Sequence, residues 1–186
     1  MEKNKKFNTY RIVFIAMMAA IVCVVTFFRF PLLGSKVHFA NAMCLLSGLL
    51  FGPVGGGLAA GIGSALYDAL FGGYGAVDCL ITLVSKFLMA FVCAEIAGTV
   101  KKDGNHGRII VGSVIGALTY VALYMLKTYI MQRWVQGLAL DATWAVMVGK
   151  LPASMINAVV AMIAAPILYE VLKPALEKTN LMGRIR

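Results

Sequence analysis

Arg11-Ile12-Val13-Phe14-Ile15-Ala16-Met17-Met18-Ala19-Ala20-Ile21-Val22-Cys23-Val24-Val25-Thr26-Phe27-Phe28 opens the apolar part of the chain, and Thr26 is its one strongly polar interior residue. A helix needs about 20 such residues to cross a bilayer. Similar segments follow at about 37–51, 55–71, 77–100, 109–131 and 144–172. The 186 residues are 61% hydrophobic and 13% charged, with a mean hydropathy of +0.86. Soluble domains carry roughly 25% charged residues, so the composition predicts an all-α membrane protein. The whole chain, 1–186, reads as a single six-helix transmembrane domain, with helices at about 11–28, 37–51, 55–71, 77–100, 109–131 and 144–172.

The positions of the basic residues orient those six spans. The net charge is +9, and most of the 17 Lys and Arg gather in three clumps. The clumps are Lys3, Lys5, Lys6 and Arg11; Lys101, Lys102 and Arg108; and Lys173, Lys178, Arg184 and Arg186. Basic residues favour the cytoplasmic side of a membrane. Six spans place all three clumps there, with both termini cytoplasmic, whereas five or seven would split them. The positive charge therefore reads as membrane orientation and not as a nucleic-acid surface, because no basic stripe interleaves with aromatics in a soluble segment. The first apolar run is longer than the h-region of about 7–15 residues in a secretory signal, so it reads as a retained first helix. Cys23, Cys44, Cys79 and Cys93 form no CxxC pair and lie in apolar segments. They read as small hydrophobic filler, and no metal site is expected.

Polar residues inside the spans are the functional candidates, because ionisable groups are costly there. Asp78, Thr82 and Lys86 step along one face of the fourth segment at i, i+4, i+8. Tyr120, Tyr124 and Lys127 step i, i+4, i+7 on the fifth, and Lys150, Ser154 and Asn157 likewise on the sixth. With the orientation above, most of these charges fall in the outer half of the membrane. The three stripes predict a pocket opening outward. Snorkelling of Lys127 and Lys150 to the headgroups is the competing reading. Lys86 lies about 12 Å below Asp78, at 1.5 Å per residue, and is expected to pair with Asp78 or Asp68. Arg29–Lys36, with Pro31 and Gly34, reads as an irregular break, and Arg29–His38 joins two helices across the outer mouth. Trp134 and Trp144 flank the last outer loop. They suit either an aromatic belt or a stacking wall for a flat ligand.

Gly48, Gly52, Gly55, Gly56, Gly57, Gly61 and Gly63 make the second and third segments rich in small residues. Small residues let helix backbones approach closely. A phosphate-cradling reading would need a strand, a loop and a lysine in place. On composition alone, Ala16 and Ala20 are an ordinary small-xxx-small pair.

Several motifs together carry a family resemblance. They are Ala16 and Ala20, then Phe51-Gly52-Pro53-Val54-Gly55-Gly56, Ala65-Leu66-Tyr67-Asp68-Ala69-Leu70-Phe71-Gly72-Gly73-Tyr74 and Thr82-Leu83-Val84-Ser85-Lys86-Phe87-Leu88-Met89-Ala90, then Pro152, Asn157, Pro166 and Tyr169. In this order the chain resembles the substrate-binding (S) component of energy-coupling factor (ECF) vitamin transporters, on the riboflavin-transporter-like branch. The resemblance implies a multi-pass protein of a prokaryotic cell membrane that captures a vitamin or vitamin precursor from outside. It implies a partner membrane coupling (T) subunit and two ATPase subunits, with no cofactor and no enzymatic activity in this chain. It also implies that Ala16 and Ala20 face the coupling subunit, that the segment after the first helix is a lid, and that the last three helices supply ligand contacts. The substrate-binding candidates are then Lys86, Asp78, Thr82, Tyr124, Lys127, Trp134, Trp144, Lys150, Asn157 and His38. A stand-alone secondary transporter or channel is the alternative reading, disfavoured by nearly uncharged inner halves. An intramembrane enzyme is the third. The sequence has no HExxH, and Gly61-Ile62-Gly63-Ser64-Ala65 is a poor nucleophile elbow.

Overall fold

The computed structural model describes residues 9–32, 35–98, 105–179, 181 and 183. Five long helices hold most of them: α1 Thr9–Phe27, α2 Ala40–Tyr67, α3 Ala76–Ala97, α4 His106–Ile130 and α5 Leu140–Lys178. Each is long and apolar enough to cross a membrane. Single π turns extend α2 over Asp68–Gly72 and α4 over Met131–Val135.

The second and third predicted helices form one element, α2, interrupted at Gly52. Gly52 takes φ 78° and ψ −176°, outside the helical region. A Cβ would be strained at that positive φ. Pro53 follows, and a proline is well placed at the first position of a new helical stretch. The chain reverses here. Ser47 Oγ lies 2.9 Å from the carbonyl oxygen of Gly56, and Cys44 Sγ lies 3.7 Å from Ser64 Oγ. A Cβ on Gly56 would overlap Gly48, one on Gly48 would overlap the Ala90 carbonyl, and one on Gly63 would overlap that of Ala19. The glycines therefore serve close backbone packing, of α2 on itself and of α2 against α3 and α1, as their abundance suggests.

α2 occupies the centre. Its most apolar window is 78% buried, against 28–33% for the other four helices. Val22, Leu45, Leu49, Met89, Ile109 and Tyr169 form the closed interior. Leu80, Val111, Leu126, Val148 and Ile167 point outward and are exposed. An apolar exterior around a packed interior suits hydrocarbon rather than water as the solvent.

Several boundaries differ from expectation, α5 among them at Leu140–Lys178 rather than 144–172, and two of the differences have identifiable reasons. α3 stops at Ala97 and not at 100, because Gly98 takes a left-handed cap conformation (φ 63°) and its N–H returns to the Ala94 carbonyl. The supposed irregular break after α1 is instead a hairpin. β1 Arg29–Leu32 pairs antiparallel with β2 Ser35–His38, so that Arg29 faces His38 and Pro31 faces Lys36. In a two-stranded ribbon every residue sits on an edge, where a proline without an N–H is tolerated. Gly34 lies outside the described residues. So do the basic residues Lys3, Lys5, Lys6, Lys101, Lys102, Arg184 and Arg186.

Candidate substrate-binding cavity

A cavity of about 280 Å³ lies beneath the hairpin, between one end of α2, α3, α4 and α5. All three polar stripes read from the sequence meet in it. Thr82 and Lys86 line it from α3, Tyr120, Tyr124 and Lys127 from α4, and Lys150, Ser154 and Asn157 from α5. His38 closes it from β2. Helix-period spacing gave each stripe, and packing turned all three stripes inward.

Lys86 is buried in α3. Its Nζ donates a short hydrogen bond to Oδ1 of Asn41, in the first turn of α2, and lies 3.6 Å from the centroid of the Tyr120 ring. Neither expected carboxylate partner is used. Asp78 sits outside the lining and pairs with Lys127 across α3 and α4, at 2.6 Å. Asp68 lines the cavity and makes no ion pair among the described residues. The reason is geometric: eight residues separate Asp78 from Lys86, about 12 Å along the helix, whereas Asn41 approaches from the side.

The hairpin is tied down over the site. The His38 backbone N–H donates to Asn157 Oδ1 at 2.8 Å. Burial pushes the His38 imidazole from its ordinary value near 6.5 down to about 3, and the nearby charges of Lys86 and Arg29 push the same way. The ring is therefore neutral at physiological pH. Its Nδ1 is buried with no hydrogen-bond partner among the described residues, and so is Ser154 Oγ. Buried polar atoms are seldom left unpaired, because each costs about 1–3 kcal/mol. Two such orphans on the wall of one cavity are what a site awaiting a polar ligand looks like.

The hydrogen bond from His38 to Asn157 makes the anchoring of the hairpin testable. Asn157→Ala should raise hydrogen–deuterium exchange of the backbone amides in 29–38 roughly fivefold in ligand-free protein, the equivalent of about 1 kcal/mol for one hydrogen bond. Unchanged exchange would mean that the hairpin is held by its other contacts.

Several lining residues are not evident from the sequence. Arg29, over the Tyr67 ring at 4.8 Å, has the look of a helix-end charge. Thr26, Ser64 and Ser85 look like isolated small polar residues, and Tyr74 like part of a turn. Asn41, which holds Lys86 but is not part of the lining, has a usable signal, since it and His38 are three residues apart at the start of an otherwise apolar segment. Trp134 and Trp144 do not line the cavity. They are 78% and 54% exposed, with Trp144 beside the Tyr129 ring. Their placement suits the interfacial belt. Ala16 and Ala20 are exposed on the outer side of α1, together with Val13, Met17 and Val24, and away from buried Ile15, Met18, Ala19 and Val22. They are not buried by any of the described residues.

Fold and site together define a helical protein of membrane type with a polar-lined cavity near one end of its bundle. The family model for the ECF-type riboflavin transporter, S component, matches residues 6–174. The chain belongs to that family, whose members are transporter subunits and not enzymes. An uncharacterized protein of Pyrococcus woesei is 35% identical over 105 residues, which is 55% of this chain and 67% of that protein. Among solved structures, the S component of a bacterial ECF transporter aligns with a TM-score of 0.65 and 24% identity, covering 89% of this chain and 96% of the other. At that identity the likeness is one of fold.

Proposed function

We propose that this chain is the substrate-capture subunit of an ECF-type importer in a prokaryotic cell membrane. It takes up a vitamin or vitamin precursor from the outer face. The candidates are a riboflavin-like compound, a pyridoxine or pyrimidine precursor, or another small heterocycle or carboxylate. The cavity with its two orphaned polar atoms carries this reading, since a ligand would pair both. The capture residues are Lys86, Thr82, Tyr124, Lys127, Lys150, Asn157 and His38, with Asp78 holding Lys127. Binding is on one side, beneath the hairpin, and the hairpin acts as the lid that shuts water out.

The chain is one domain with six spans, because the reversal at Gly52 makes two crossings of α2. Both termini and the α3–α4 connection lie in the cytoplasm, on the side of the basic clumps. Transport is driven by partners: a coupling subunit in the bilayer that receives α1 at Ala16 and Ala20, and two ATPase subunits beneath it. The discriminating experiment is uptake of the bound ligand in cells that carry this chain with and without the coupling and ATPase subunits. Uptake should require them. Uptake by this chain alone would make it a stand-alone secondary transporter.

A further inference from the structure

We propose that the molecule captured here carries an anionic group, a carboxylate or a phosphate, seated on Lys150 and Ser154 of α5 and facing Arg29 and Lys86. The inference rests on the capture role above and narrows it.

The first support is charge. Four cations line the cavity, Arg29, Lys86, Lys127 and Lys150, against one carboxylate, Asp68. Lys127 is already balanced by Asp78. Among the described residues no carboxylate lies within ion-pair distance of Arg29, Lys86 or Lys150. Arg29 and Lys86 rest over tyrosine rings instead, which attract a cation without neutralising it. Even with Asp68 assigned to one of the three, two positive charges line one partly open cavity. Unbalanced charge is costly wherever access to solvent is reduced, as it is for buried Lys86, and an anion relieves it. A neutral ligand would leave it in place.

The second support is independent of charge. Ser154 Oγ is buried on the cavity wall without a partner. It stands four residues from Lys150, so hydroxyl and ammonium share one stripe of α5. Each has a proton to donate, and together they match the two oxygens of one anionic group, in the short charge-assisted bonds such groups form.

The test uses matched pairs that differ in charge but little in shape, on purified full-length protein in detergent. The pairs are nicotinate and nicotinamide, pantothenate and pantothenol, biotin and its methyl ester, and pyridoxal 5′-phosphate and pyridoxal, with riboflavin as a neutral reference. Thermal shift and calorimetry should find that the charged member of at least one pair binds and that its neutral twin binds at least tenfold more weakly. A response confined to the pyridoxal pair assigns phosphate, and one confined to the others assigns carboxylate. Lys150→Met, at a part-exposed position, should weaken the charged ligand roughly 10–100-fold and leave the ligand-free melting temperature unchanged or raised, since it removes one unbalanced charge. Tight binding of riboflavin or of the neutral members, unaffected by Lys150→Met, overturns the anion and leaves the capture role standing. No binding by any charged member, in protein that melts cooperatively, overturns the anion, whereas the capture role falls only if uptake proves independent of the coupling and ATPase subunits.

Discussion

Ala16→Leu combined with Ala20→Leu is expected to reduce uptake at least tenfold while leaving ligand affinity within about twofold of the parent. Both alanines are exposed on the outer side of α1, one helical turn apart, while the opposite side of α1 packs against α2. Two leucines there add bulk without entering the core, so the ligand-free protein should melt normally. What they obstruct is an approach by another helix. Small residues at i and i+4 let two backbones come close enough for dense van der Waals contact in lipid, and an isobutyl group at each position pushes the partner away. Uptake in cells with the coupling subunits, together with calorimetry on the purified variant, separates the two effects. Unchanged uptake would show that the coupling subunit meets some other face.

Lys86→Met is expected to weaken ligand binding roughly 10–100-fold, the range for losing one hydrogen bond to a charged group. The substitution also leaves Asn41 Oδ1 buried without its donor, at a cost of about 1–3 kcal/mol to the fold, so the single variant confounds stability with affinity. The double variant Lys86→Met/Asn41→Leu resolves this. Replacing both partners by apolar groups should recover much of the lost melting temperature, but the ligand still meets a cavity short of one cation. Recovery of melting without recovery of affinity assigns Lys86 to the ligand. Recovery of both would reduce Lys86 and Asn41 to a structural pair.

The polar stripes are legible in the amino-acid sequence because each lies within a single helix. Lys150, Ser154 and Asn157 share a face by helix geometry alone, whatever packs against them. The same holds for Tyr120, Tyr124 and Lys127. The pairing of Lys86 is not legible. Asp78 and Lys86 lie on one stripe of one helix, which makes them natural partners on paper. Asn41 is remote in sequence and reaches Lys86 only because α2 and α3 pack together through glycines. The segment over the cavity is legible as a break between helices but not as a hairpin, since its four-residue strands are too short to show a reliable alternation.

Hydropathy and charge placement are sufficient to settle that this is a helical membrane protein, where its apolar segments lie and which residues could carry its chemistry. Those are properties of short windows, and the bilayer imposes them window by window. Which stripes face one another, which cation is balanced and which left bare, that Ala16 and Ala20 look outward, and that both tryptophans stand clear of the cavity depend on how the helices rotate and reverse. Contacts between residues far apart in the chain set those angles. The bend at Gly52, the approach of Gly48 to Ala90 and the bond from His38 to Asn157 are examples, and no local window contains both ends of such a contact.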